Sequence, residues 1–142
     1  MNVLVVGPTA AGKSTLIRRA YADTHHVLDV WDHIDGHPAP HDYETITTGY
    51  RALEHAVQSR PGPVCVEVAL DYPGETLPPI AEKLRPAQLV PVWAPNQVCH
   101  ERNRNRDRTA PAGLVDKHHA EDFGHVVHRL QDELGPAKGV PA

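Results

Sequence analysis

An α/β fold, a parallel sheet covered by helices on both faces, is the architecture this 142-residue sequence predicts. Three observations lead there. Residues 3–6 (Val-Leu-Val-Val) form an unbroken apolar run, the mark of a strand buried on both sides rather than one. Strand-like and helix-like segments then alternate along the chain, as they do when crossover helices link parallel strands. Between the first strand and the first helix lies Gly7-Pro8-Thr9-Ala10-Ala11-Gly12-Lys13-Ser14, a small-residue turn with glycine at both ends of its bend.

The elements follow in order. The strand over 3–6 ends at Gly7, and helical signals start at Lys13 and run through Leu16, Ile17 and Ala20. Residues 26–30 read as a second, shorter strand. From Tyr43 to Ser59, Ile46, Tyr50, Leu53 and Val57 recur at helical spacing with Gly49 as a weak point, and Pro61-Gly62-Pro63 stops that helix. Val64 to Val68 is the third strand. Leu77 to Leu84 is a short helix whose prolines fit its first turn, and 88–93 is the fourth strand. Pro95 opens a helix over 97–106, a loop is expected around 109–113, and one last helix over 114–134.

Size and composition bound the rest. The apolar content of 40% supports one core, so residues 1–134 read as a single domain, and 135–142, rich in Gly and Pro, as a flexible tail. A net charge of −4 argues against a general polyanion-binding surface. The amino terminus lacks the positive region of a secretory signal and no apolar run reaches bilayer length, so a cytoplasmic protein without membrane contact is expected. Cys65 and Cys99 stand on separate apolar segments without C-x-x-C spacing, which predicts buried thiols in a reducing compartment.

The glycine-bounded turn matches G-x-x-x-x-G-K-[ST] at every fixed position and sits between strand and helix, where a phosphate-binding loop must lie. Small residues let the backbone wrap a polyphosphate closely, so that successive N–H groups and the positive end of the helix face the anion. The fold class is thereby narrowed to a P-loop NTPase three-layer sandwich. Gly7, Thr9, Ala10, Ala11, Gly12, Lys13, Ser14 and Thr15 form the expected cradle for ATP. Lys13 is expected to reach the β- and γ-phosphates and the Ser14 hydroxyl to ligate Mg2+. Kinases, motors, switches and transport ATPases share such a loop, which by itself does not choose among them.

Two further segments, 64–70 and 92–108, carry a resemblance. The strand Val64-Cys65-Val66-Glu67, then Val92-Trp93-Ala94-Pro95 followed by Arg102-Asn103 and Arg106, resemble the AAA-related P-loop kinases of small molecules and of polynucleotide 5′ ends. The resemblance spans nearly the whole chain, although only the loop is individually specific. It implies that Glu67, where family members usually carry Asp, holds magnesium through water; the bland alternative is a strand-end carboxylate facing solvent, and Asp71 is the substitute. It implies a catalytic aspartate just after the second strand, where Asp29, Asp32 and Asp35 all occur. Asp32 is preferred because it comes just past the strand's end, at the carboxyl side of the sheet where ligands bind, whereas a turn-forming Asp is the plainer reading.

Arg102, Arg104, Arg106 and Arg108 do not all converge if their helix is continuous: Arg102 and Arg106 share one face, Arg104 and Arg108 another roughly 200° away. The resemblance selects Arg102 and Arg106, matching an R-N-x-x-R lid that stabilises charge on the transferring group. In place of the arginine that polynucleotide kinases carry after the base stands Asp35, so a neutral or cationic hydroxyl compound is favoured over nucleic acid as acceptor, such as an antibiotic or a nucleoside-like molecule.

The implied activity is ATP-dependent phosphoryl transfer to a small-molecule hydroxyl. A P-loop ATPase that signals to a protein partner and a polynucleotide 5′-hydroxyl kinase are the alternatives. The chain is short for a kinase, which leaves room for a homo-oligomeric partner to complete the site or cover an edge strand. Among eleven histidines, His33, His37 and His41 and the group His118, His119, His125 and His128 raise the idea of metal handling. No cysteine accompanies either set and Pro38 and Pro40 break the first, so surface or packing roles are expected.

Overall fold

A computed structural model of the chain describes residues 1–30, 43–69, 77–106 and 112–134. In chain order the elements are β1 (Asn2–Val6), α1 (Lys13–Ala20), β2 (His26–Asp29), α2 (Tyr43–Ser59), β3 (Val64–Val68), α3 (Leu77–Leu84), β4 (Ala87–Pro91), α4 (Asn96–Arg104), α5 (Ala112–Ala120) and α6 (Phe123–Leu134). The four strands form one parallel sheet in the order β2-β3-β1-β4. The expected α/β architecture is the observed one.

Alternation along each strand decides which helix covers which face. Leu4 and Val6 of β1, Leu28 of β2 and Val64, Val66 and Val68 of β3 point to one side, where they meet Leu53 of α2, Ile80 and Leu84 of α3, and Leu130 and Leu134 of α6. Val3, Val5 and Cys65 point to the other side and meet Ile17 of α1. A small third cluster of Ala11, Ala94, Cys99 and Val115 fastens α4 and α5 beside the turn after β1. Each fully buried Leu or Ile contributes about 1.5–3 kcal/mol, so the face with three helices carries most of the apolar stabilisation. Both cysteines are buried free thiols, and burial pushes Cys65 up to about 11.

Because β1 and β3 are neighbours while α1 and α3 pack on opposite faces, the carboxyl ends of these two strands open a crevice between layers. That crevice is where the glycine-bounded loop emerges. No described helix is long and apolar enough to cross a membrane.

The structure corrects several expected boundaries. The fourth strand runs over Ala87–Pro91 rather than 88–93; Pro91 has no N–H for a ladder, and although the Val92 amide still donates to Val6 O (2.8 Å), Trp93 is released to the surface. Helix α4 ends at Arg104 instead of 106, where Asn105 takes a bridge-region conformation (φ −98°, ψ 2°). Ala112 and Gly113, expected in a loop, belong to α5, whose Val115 and His118 are both buried one turn apart. The single helix expected over 114–134 is two helices. They part at Asp122, whose Oδ1 accepts from His125 N (3.1 Å) while its backbone O accepts from Val126 N (3.0 Å), so this aspartate caps a fresh amino terminus. The tail 135–142 lies outside the described residues.

Asp122→Ala removes that cap and is expected to cost about 1 kcal/mol, read as a lower urea midpoint at unchanged slope, whereas Asp122→Asn stays near the parent. Equal stability of all three proteins would contradict the capping role.

Candidate active site in the loop after β1

The chain leaving β1 is clamped from both neighbouring strands. Gly7 N donates to Val68 O (3.3 Å) at the last residue of β3, and Gly7 lies so close to the segment after β4 that a Cβ there would come within 2.0 Å of Val92 O. No side chain fits. The turn then needs left-handed backbone twice, at Ala10 (φ 63°) and at Gly12 (φ 108°). Glycine adopts this freely, but for alanine it costs about 1–2 kcal/mol, so surrounding bonds must hold Ala10 in place.

Gly12 is the N-cap of α1 and supplies no side-chain cap. The amino terminus of the helix therefore has no side chain laid across it, and its positive potential suits an anion. Lys13 is buried, 7% exposed, and folds its ammonium back over the loop, donating to Gly7 O (2.8 Å) and Pro8 O (2.7 Å). Thr15 is exposed, and its Oγ1 accepts from Arg18 (3.4 Å).

Strand parity brings an acid to this loop. Glu67 is paired with Val5 across β1 and β3, on the face covered by α1, and the Ser14 hydroxyl in the first turn of α1 donates to Glu67 Oε1 (2.7 Å). Asp29, the last residue of β2, is the register partner of Glu67 on the other side and shares that face. A hydroxyl and a carboxylate in contact are hard oxygen donors, the chemistry magnesium requires, so the residues present fit a magnesium ion.

The two selected arginines both reach the site, but not as one face of a continuous helix. Arg102, on α4, donates to Ala11 O (2.9 Å) and stands against Gly12. Arg106 lies past the end of α4. Crowding pushes its guanidinium below its ordinary range, chiefly through desolvation, and the nearby charges of Glu67 and Asp29 oppose that shift. Arg104 is exposed, in keeping with surface charge. Asp32, the preferred base, lies outside the described residues together with Asp35, Asp71, Arg108, His33, His37 and His41.

One residue of the site was not foreseen. His118 of α5 is only 1% exposed, and its Nδ1 accepts from Thr9 N (2.9 Å). The bond requires a bare Nδ1, which places the ring proton on Nε2, and that atom is buried without a partner among the described residues. An orphaned buried donor costs about 1–3 kcal/mol. Next to it His119 sits between Val115 O (2.9 Å) and Ala94 O (2.8 Å), and His100 meets Asp116 at 2.7 Å, so α5 is pinned to α4 and to the segment before it. Hydrogen bonds from His100 and then Asn96 hold the Asp116 carboxyl below the usual carboxylate range. His125 and His128 are exposed, and no group of three metal-binding side chains occurs among the described residues.

Comparison with known proteins places the fold. No protein-family model matches the sequence, and no curated protein is significantly similar to it. Solved structures do match in shape. The chain is similar to a gluconokinase from Sinorhizobium meliloti 1021 (TM-score 0.62, 16% identity, covering 94% of this chain and 90% of that one). It is similar also to a sugar kinase from Janibacter sp. HTCC2649 (TM-score 0.62, 15% identity, covering 99% and 98%). The α/β fold is thus one that this chain shares with both of these solved structures.

Burial, and after it the charges of Lys13, Lys117 and His119, hold the His118 imidazole down to about 3 from an ordinary 6.5. In the unfolded chain it takes up a proton as pH falls through 6.5, while the folded protein leaves it neutral until about 3. Its share of stability is therefore complete above the unfolded value and is lost on acidification through this window. Between pH 7.5 and pH 5 the loss is about 2 kcal/mol, measured as the part of the fall in urea-unfolding free energy that His118→Leu abolishes. Identical pH profiles for parent and variant would contradict it.

Proposed function

We propose that this protein is an ATP-dependent phosphotransferase that moves the γ-phosphoryl group to a hydroxyl of a small molecule. The observation that carries the reading is the Ser14–Glu67 contact at 2.7 Å, made at the amino terminus of a helix whose N-cap is a glycine. An oxygen pair suited to magnesium beside an anion-binding helix end is the requirement of a magnesium–polyphosphate substrate. The names of the two solved neighbours, a gluconokinase and a sugar kinase, favour a polyhydroxylated acceptor over a polynucleotide or a protein.

In this reading the loop amides grip the ATP phosphates, and Lys13 exchanges its bonds to Gly7 O and Pro8 O for phosphate oxygens. Ser14 and Glu67 hold magnesium, which neutralises phosphate charge when bound. Asp32, beyond the end of β2, accepts the proton of the attacking hydroxyl as the new O–P bond forms; the bond between the γ-phosphorus and its bridging oxygen breaks, and ADP leaves. Arg102 and Arg106 stabilise the charge on the moving group, one anchored on α4 and the other drawn toward Glu67 and Asp29. Thr9, Ala10 and Ala11 shape the cradle, and Gly7 and Gly12 admit it sterically.

Radiolabelled ATP offered with aldoses and aldonic acids is expected to yield a labelled sugar phosphate. Lys13→Ala abolishes ATP turnover. Asp32→Asn spares ATP binding and lowers transfer by about 10²–10⁴-fold. Full transfer by Asp32→Asn would remove that base, and label passing to water alone across the whole panel would remove the phosphotransferase reading.

A further inference from the structure

We infer that His118 is a positioning residue of the nucleotide loop, whose Nδ1 sets the first bend by holding the Thr9 amide. The inference rests on the phosphotransferase reading of this loop. Its argument starts from strain. Ala10 stands in left-handed backbone without being glycine, and such a residue persists only where neighbouring contacts over-determine it.

Three hydrogen bonds surround it. Ala11 N donates to Pro8 O at 3.2 Å, a local turn that would close in any similar loop. The other two come from far along the chain: His118 accepts from Thr9 N at 2.9 Å, one residue before Ala10, and Arg102 donates to Ala11 O at 2.9 Å, one residue after. The strained residue is therefore gripped on both sides by side chains of α5 and α4. Helix α5 is itself held, through Val115 in the cluster with Ala11 and Cys99 and through His119 against Ala94 O.

A role in stability alone accounts poorly for this histidine. The ring makes one bond and leaves Nε2 buried without a partner among the described residues, whereas an aliphatic side chain would fill the space with no orphan. What an aliphatic side chain lacks is the acceptor for Thr9 N. Accepting that bond turns the Thr9 amide into the protein and commits the bend, so the amides after Ala10 are the ones that face an anion. Burial keeps the ring in the neutral form that can accept.

Titration calorimetry with Mg·ADP and Mg·ATP tests the role on the parent protein, His118→Leu and His118→Asn. The leucine variant is expected to unfold cooperatively and bind nucleotide about tenfold more weakly, the worth of one hydrogen bond. Asparagine, whose side-chain oxygen falls near the position of Nδ1, is expected to recover affinity to within about threefold of the parent. Parent-like affinity in the leucine variant, or no recovery by asparagine, overturns the role. If the leucine variant does not fold, nitrogen-resolved NMR of the parent decides: a protonated Nε2, a bare Nδ1 and an Nδ1 signal that moves on adding Mg·ADP support it. A protonated Nδ1, or a signal indifferent to nucleotide, refutes it. A parent protein with no nucleotide affinity removes the nucleotide site itself, an outcome distinct from a binding parent matched by its leucine variant.

Discussion

The passage of the chain between two strand ends, at Gly7, is the constraint on which the rest of the site depends. Its amide is tied to Val68 O at the last residue of β3, and its α-carbon lies against the Val92 carbonyl beyond β4, where a Cβ would have only 2.0 Å. A side chain at this point would push β1 and β4 apart at the crevice. With none there, the backbone turns at once, the loop stays close over the sheet, and the Lys13 ammonium can reach back to the carbonyls of Gly7 and Pro8. The uncapped start of α1 then faces the space above the sheet.

Charge is organised by the same sheet. Because side chains alternate, the odd-numbered acids Glu67 and Asp29 fall on the α1 face, side by side across β3 and β2. Two neighbouring carboxylates repel unless cations answer them. Arg106 supplies one, close enough for both acids to act on its guanidinium, and the Ser14 hydroxyl satisfies an oxygen of Glu67. The site thus holds acids suited to a metal and bases suited to phosphate within one crevice, the mixture that a magnesium–nucleotide complex, itself anion and cation together, would meet.

Local physics explains how much of this was legible in the residues. The strands β1 and β3 were readable because a doubly buried strand is a continuous apolar run, and the bounds of α2 and α3 were readable because Pro61-Gly62-Pro63 and Pro78-Pro79 punctuate them. The loop was readable because its chemistry is local, and Glu67 because it is the acid in an apolar strand, one residue before that strand's end. The break at Asp122 was missed although an N-cap signal, Asp122 before Phe123, stood in the sequence; apolar spacing on both sides concealed it. The end of α4 at Arg104 was missed because nothing in Arg104-Asn105-Arg106 forbids another turn. His118 had a faint signal, its place one turn after buried Val115, but its partner Thr9 is 109 residues away and no local pattern encodes such a contact. Asp32, the preferred base, falls outside the described residues.

Residue-resolved NMR of nitrogen-labelled protein, titrated with ATP and magnesium, tests the central claim most directly. The account predicts that the amide signals of Gly12, Lys13, Ser14 and Thr15 move most, with the Glu67 amide following only when magnesium is present. Amide signals of the loop that stay fixed at saturating nucleotide, in a protein whose spectrum is well dispersed, would contradict it.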